Sequence, residues 1–434
     1  MSSGRGYSLF SRTAILVLLP GLFAGFPQER PKLAGTVTFY DHMLPALRTY
    51  CLPCHVAGGV GPMPLGTYGD VQPRAAAIRE VVKQRRMPPR LGDPRYVEFT
   101  HVPQLTDDDI QLIDTWVSSG ALEGKPPNRR RTSAAQDSQQ ISADVVMTAP
   151  APISVPANGS MDYQYLIFAL TYRYDRWIRA AEIRPSDRSL VHHAVLYVRE
   201  KQSPWLRDAV SGVPYVPPEG EALRHTRNPK ADILAIYTPG APAMICPKGM
   251  AKKLPAGADL VLQIHYSGRN APGSDQPQIG LAMLAVQPGK RMLTLQLELE
   301  EPLAPPENAN LRTAVSGTLT ADALLISMFP HLHVRGVPFH LDITGQDGQK
   351  ETILEVNPLW LNWPLAYVLK TPRLLQKGTV LTWMGTFNNS ATNPLNPGPA
   401  VEFRSGGSRP GGRMIGFFDV AVEPAVDPQM IFVR

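Results

Sequence analysis

The chain is short of cysteine, of charge and of long apolar runs, and each shortage removes a class of protein. Of its three cysteines in 434 residues, Cys51 and Cys54 stand together and Cys246 stands alone, so the cores rest on no disulfide framework. Charged residues make up 18% of the chain and the net charge is +6. No basic run is interleaved with aromatic residues, so no nucleic-acid partner is expected. Arg129-Arg130-Arg131 reads as part of a solvated linker. Past the N-terminal segment nothing approaches the roughly 20 apolar residues that cross a bilayer.

What is abundant is proline. With 44 prolines and 43% hydrophobic residues, the chain reads as globular, built from loops and short strands rather than long helices. Its length suits two to four domains with sizeable cores. Residues 1–25 read as a signal peptide or N-terminal anchor, because Arg5 and Arg12 precede an apolar run over 14–24 that Pro20 and Gly21 interrupt. A periplasmic or secreted location follows, with membrane attachment only where that segment stays uncleaved.

Residues 36–125 form a first, all-α unit. Thr38 to Tyr50 leads into Cys51-Leu52-Pro53-Cys54-His55, the attachment signature of c-type haem. In that chemistry the two thiols bond the haem vinyl groups and the adjacent His55 ligates iron from one side. A zinc site would need two more ligands nearby, and a redox dithiol would need a βαβ context; the sequence offers neither. Met63 and Met87 compete for the opposite axial position, where a methionine raises the potential. Met87 ends a predicted helix over 74–86 and is braced by Pro88 and Pro89, which favours it. Thr106-Asp107-Asp108-Asp109 predicts a capped helix with Ile110, Ile113, Trp116 and Val117 on one face. The unit resembles a small class I cytochrome c, with Trp116 in its core.

Residues 126–148 read as a flexible linker. From 149 onward, short alternating apolar runs punctuated by Gly, Pro and Asn predict two all-β sandwich or jelly-roll domains, over 149–300 and 301–434, with their junction near 298–312. Three strand-like apolar runs in this part carry five of the ten histidines: His192 and His193, then His265, then His331 and His333. A buried imidazole without a partner is costly. Imidazole suits copper, zinc, iron and nickel, so the runs read as a transition-metal scaffold. On a strand His331 and His333 share a face. His192 and His193 are consecutive and would face opposite sides, so a bulge or strand end is needed for both to reach one ion.

Taken in order, five motifs resemble the copper type II ascorbate-dependent monooxygenases, the family of peptidylglycine α-hydroxylating monooxygenase and dopamine β-monooxygenase. They are Leu190-Val191-His192-His193, Leu262-Gln263-Ile264-His265-Tyr266, Pro330-His331-Leu332-His333, Phe387-Asn388-Asn389-Ser390-Ala391-Thr392-Asn393-Pro394 and Met414-Ile415-Gly416-Phe417-Phe418. The likeness is nearer to bacterial members that carry an N-terminal cytochrome c unit. It implies two copper ions on two jelly-roll domains facing a solvent-filled cleft. His192, His193 and His265 would hold an electron-transfer copper. His331, His333 and Met414 would hold the copper that meets dioxygen, where a soft thioether favours Cu(I). Gln263 matches a family position two before the third histidine. The implied activity is hydroxylation of a small-molecule or peptide substrate with dioxygen. Electrons would come from ascorbate or, through the fused haem, from an electron-donor protein.

The sequence departs from the family where members usually read Asp-Glu-Met-Met-Ile-Gly. Here it is Gly411-Gly412-Arg413-Met414-Ile415-Gly416, so Arg413 takes the usual ligand position and Met414 comes one residue later. A guanidinium cannot ligate copper. Met414 serves only if Gly411-Gly412 permit a bulge that re-aims it. Two other readings stay open: a haem and copper electron-transfer or copper-binding protein without oxygenase activity, and a structural or carbohydrate-binding module with satisfied core histidines. Arg413 favours the first of these.

Overall fold

In the computed structural model the chain divides into Met1–Thr36 and Val37–Arg434. The structure describes Met1 and residues 36–56, 61, 63–88, 97–100, 105–126, 141–157, 161–218, 233–239, 241–268, 270–299, 311–332, 336–356, 366–388, 390–392, 414–428 and 430–433. The expected signal or anchor segment, much of the expected linker, His333 and Arg413 lie outside the described residues, as does the side chain of His331. Among the described residues no helix is long and apolar enough to cross a membrane.

The first part of the second unit is helical, with α1 (Leu44–Tyr50), α2 (Tyr68–Val71), α3 (Ala75–Lys83) and α4 (Asp107–Ser118). Helix α4 starts where its cap predicts: the Thr106 hydroxyl accepts from the Asp109 N–H at 3.1 Å and the Asp109 carboxylate accepts from the Thr106 N–H at 3.0 Å. Such reciprocal bonds satisfy two donors that a helix start leaves unpaired. Asp109 also accepts from the Tyr50 hydroxyl at 2.8 Å, tying the end of α1 to the start of α4. Trp116 is fully buried, and its indole N–H donates to the Leu122 carbonyl at 2.9 Å. A two-residue strand, β1 (Phe99–Thr100), leaves this part.

The rest is β-structure. The first half holds β2 (Val145–Thr148), β3 (Ile153–Val155), β4 (Gln164–Phe168), β5 (Arg176–Arg184), β6 (Val191–Arg199) and β7 (Ile233–Tyr237). It continues with β8 (Met244–Ile245), β9 (Met250–Leu254), β10 (Asp259–Tyr266), β11 (Gly273–Asp275) and β12 (Gln278–Leu284). The second half holds β13 (Lys290–Glu298), β14 (Leu311–Leu319), β15 (Ala323–Leu332), β16 (Gly336–Thr344) and β17 (Lys350–Val356). It ends with β18 (Tyr367–Leu375), β19 (Val380–Phe387), β20 (Met414–Val422) and β21 (Phe432–Val433).

One ten-stranded sheet runs through both halves in the order β1-β18-β15-β20-β13-β9-β5-β12-β2, with β8 beside β5. It passes between them where β13 pairs in parallel with β9, Lys290 with Met250 and Arg291 with Ala251. A four-stranded sheet, β4-β10-β6-β7, covers it in the first half, and a five-stranded sheet, β17-β16-β19-β14-β21, in the second. Each half thus packs two sheets around its own apolar core. Strand β1 closes the far edge by pairing Phe99 with Leu369.

Two strands lie at or near the expected boundaries. Strand β13 pairs with β20 along its length, from Arg291 with Val422 to Glu298 with Ile415, and Leu293, Leu295 and Leu297 enter the second core. Strand β13, which lies before the expected junction near 298–312, thus packs with the second half. The expected linker also gives way early, since β2 pairs with β12 from Val145 opposite Leu281.

The four-stranded sheet is covered on both faces. Leu166, Leu196, Leu260 and Leu262 face the first core, while Tyr165, Ile167, Val195, Tyr197 and Val261 pack against Phe329, Ile415 and Phe417 of the second half. Double burial is why all five residues of β4 are buried and, after Gln164, read as an unbroken apolar run. In its described part, the boundary between the halves is largely an apolar layer. A polar knot crosses the same boundary. The Lys252 ammonium, which is buried, donates to the Ile233 carbonyl at 2.7 Å and lies 3.3 Å from Asp419. The Thr294 and Ser327 hydroxyls donate to the two Asp419 oxygens at 2.6 and 2.7 Å. Burial alone would raise the Asp419 pKa, but Lys252 and these hydrogen bonds hold it below the usual carboxylate value.

Candidate metal centre

Strands β6 and β10 run antiparallel, and His193 lies directly opposite His265. One step on, Tyr266 pairs with Val191 and not with His192. His192 is thus the extra residue of a β-bulge, the device that lets consecutive side chains serve one site. The ligand atoms of His192, His193 and His265 all lie within 4.8 Å of one another. The two Nδ1 atoms of His192 and His193 are 2.9 Å apart, and the three ring centroids are 5.2–5.3 Å apart in every pair. Among the described residues this is the one group of three or more His, Cys, Asp or Glu side chains placed to hold a metal ion.

The donor set fits a transition metal. Three imidazoles suit copper or zinc, and ligation needs the neutral ring. Burial, with the neighbouring His192 second, pushes the His265 pKa down to about 4, so this ring is neutral at ordinary pH. His192 reaches the surface, yet loss of solvent around part of its ring lowers its pKa as well. A span of up to 4.8 Å slightly exceeds the roughly 4.2 Å that two metal–nitrogen bonds of about 2.1 Å cover in line. To share one ion, the rings would have to close inward by side-chain rotation. Tyr163, absent from the sequence reading of the site, stacks obliquely 4.8 Å from the His265 ring and 5.6 Å from the His193 ring. Its signal is register: Tyr165 pairs with Gln263, which puts Tyr163 beside His265 two residues on.

His193 is buried and faces a cavity of about 20 Å³, lined also by Gln263, Thr238, Gln296, Phe329 and Ile415. That is room for about one water molecule. Gln263 is buried there and donates to the Tyr165 hydroxyl. Phe329 and Ile415 belong to the strands that carry the second histidine motif, so the cavity adjoins both.

The second motif is assembled differently. The ladder of β15 and β20 pairs Pro330 with Gly416, His331 with Ile415 and Leu332 with Met414. Met414 is fully buried in the second core together with Leu297, Trp383 and Phe418. Neighbouring positions on a strand face opposite sides, so the described register does not bring Met414 to the side of the His331 position; Ile415 stands there. Gly416 has a packing role, since a Cβ at that position would run into the Trp383 indole.

In the helical part, His55 is buried and its Nδ1 donates to the Met63 carbonyl at 2.9 Å. That bond leaves Nε2 as the free ring nitrogen, the arrangement a ligating histidine needs. Gly61 closes over this ring so tightly that a Cβ would come within 2.5 Å of Nδ1. Burial, and then the neighbouring Cys54, push the Cys51 thiol up to about 12, and burial raises Cys54 also. Met87 is half-buried just past α3.

No protein-family model and no curated protein matches the chain. Among solved structures it is similar to the STIV MCP, at 10% identity and a TM-score of 0.24, over 65% of this chain and 95% of that one. It is also similar to the VP2 subviral particle of infectious bursal disease virus, at 9% identity and a TM-score of 0.17, over 68% and 78%. A third likeness, to oxalate decarboxylase of Bacillus subtilis, has 7% identity and a TM-score of 0.12, over 70% and 88%. Scores this low carry no argument about fold or function.

Proposed function

We propose that the chain is an exported copper-dependent monooxygenase on two jelly-roll-like domains, with a c-type haem unit through which electrons enter. The observation that carries this reading is the convergence of His192, His193 and His265 at a bulge between two strands. The resemblance of five ordered motifs supports it. Copper at this site would supply one-electron transfer, which three imidazoles tolerate in both oxidation states. Tyr163 packs against the His193 and His265 rings. His331 and His333, with Met414, would hold the copper that meets dioxygen. For Met414 to join them, β20 would have to enter the sheet with its register shifted by one residue. The substrate class is a small molecule or peptide, and ascorbate or a redox protein is the reductant.

Cys51 and Cys54 would carry the haem, and His55 would ligate it through Nε2. Because the Met63 carbonyl already holds Nδ1, Met63 belongs to the His55 side and Met87 becomes the candidate for the opposite face. Haem colour should stay with the polypeptide through denaturing electrophoresis and acid–acetone extraction. Extractable haem would end this assignment. Met87→Ala should turn a low-spin spectrum high-spin while Met63→Ala does not.

Burial of Met414 favours a second reading, a haem and copper electron-transfer or copper-binding protein without oxygenase activity. Metal content decides between them. Two coppers and one haem per chain support the oxygenase, one copper and one haem the electron carrier, and a copper-free chain excludes both.

A further inference from the structure

We propose that the pocket between β5, β7 and the turn before β6 takes a small monocarboxylate, held by the Arg188 guanidinium and the Tyr237 hydroxyl. The site shares no residue with the histidine cluster and does not depend on the chain being an oxygenase.

The starting observation is a buried donor without an acceptor. Tyr237, the last residue of β7, is 9% exposed, and among the described residues its hydroxyl has no hydrogen-bond partner. Buried polar groups are nearly always bonded, because leaving one unpaired is destabilising. Tyr237 lines a cavity of about 20 Å³, and so does Arg188. Among the described residues the Arg188 guanidinium makes no hydrogen bond or ion pair. A buried donor and an unpaired cation thus share one small pocket.

The backbone holds both groups in place. Tyr237 pairs with Ala194 of β6. Arg188 opens the 3-10 turn Arg188–Leu190, which the Asp187 carboxylate caps by accepting from the Ser189 N–H at 3.0 Å. The fully buried Asp275 anchors the approach to that turn, accepting from the Ser186 and Asp187 N–H groups at 2.6 and 3.1 Å. Its other oxygen accepts from the Tyr266 hydroxyl at 2.9 Å. Glu182, which also lines the cavity, is engaged as well: its carboxylate accepts from Arg184 at 2.8 Å and from the Ile141 N–H at 3.2 Å. Neither acid is therefore spent on Arg188.

Charge and shape select the ligand. Burial first, and then Asp275, push the Tyr237 pKa up to about 12 against the pull of Arg188, so the hydroxyl keeps its proton and can donate. One unpaired cation balances a monoanion, whereas a phosphate dianion would bring surplus negative charge beside Glu182 and Asp275. The planar guanidinium fork matches the two oxygens of a carboxylate, a match that spherical chloride cannot make. The cavity has room for about one water molecule, which seats one carboxylate oxygen between the two donors. The rest of the ligand lies toward the rim, where Pro242 is exposed and Ala241 and Ala243 present only methyl groups. A short alkyl tail suits that rim.

The test is titration of the full chain with sodium acetate at constant ionic strength, the wild type beside Tyr237→Phe and Arg188→Gln. Binding is read by saturation transfer to the acetate methyl protons in NMR and by the thermal midpoint. Acetate should bind the wild type and raise its midpoint, as a ligand held only by the folded state does. Each substitution removes a hydrogen bond to a charged acceptor and should weaken acetate by roughly tenfold or more. Tyr237→Phe takes away only an unpartnered oxygen, so without acetate its midpoint should equal or exceed that of the wild type. That variant keeps the test independent of misfolding. No acetate binding to the wild type, or equal binding to all three chains, would overturn the site. Chloride or phosphate displacing acetate at equal concentration would overturn the carboxylate assignment.

Discussion

Two strand pairs carry histidine motifs in this chain, and they treat neighbouring side chains differently. Between β6 and β10 the ladder steps over His192, so three imidazoles gather on one side of the sheet. Between β15 and β20 the ladder is regular from Pro330 to Leu332, and its one irregularity lies earlier, between Leu325 and Ser327. There Met414 is carried into the core, and Ile415 is the residue opposite His331. A single extra residue decides which side chains meet, because a shift of one position moves a side chain to the other face.

The sharpest way to break this contrast is at the bulge. His265→Ala removes one of three nitrogen donors and should abolish copper binding at that site while the haem spectrum stays unchanged. Deleting His192 should regularise the ladder and have the same effect on copper in a chain that remains folded. Copper per chain with its EPR signal checks both; an undiminished signal would make these ordinary core histidines.

The next largest effect concerns the knot that joins the halves. Asp419→Asn leaves the buried Lys252 ammonium without its counter-charge, a change that costs about 3–5 kcal/mol in buried pairs. Because the folded pKa of Asp419 lies below its unfolded value, its contribution is complete above the usual carboxylate range and is lost as the pH falls through the folded pKa. Urea midpoints from neutral pH downward should therefore show a steeper acid decline in the wild type than in Asp419→Asn.

Met414 separates ligand from core residue by magnitude. As a core side chain, Met414→Ala should cost about 2–5 kcal/mol through the cavity it leaves, and Met414→Leu less than about 1.5 kcal/mol. In that case neither should change copper binding. A loss of copper in Met414→Leu, with stability retained, would instead make the thioether a ligand. The smallest expected change is a gain: Ile415→Met puts a thioether at the position opposite His331 and should tighten Cu(I) binding at the second motif, read by bicinchoninate competition.

Local chemistry was legible from residues alone wherever it is written within a few positions. Thr106 with Asp109 announces the start of α4, because a helix cap acts over three or four residues. The β-rich texture after 149 was legible too, as was the need for a bulge at His192-His193, since side-chain alternation is a property of the strand itself. Tertiary structure alone decided the rest. It brought His265 across the ladder to His193, set Tyr163 beside them, carried β13 into the second core and turned Met414 inward. Each of these depends on which strand pairs with which and in what register, and that pairing is settled by burial of both faces of a sheet among partners distant in sequence.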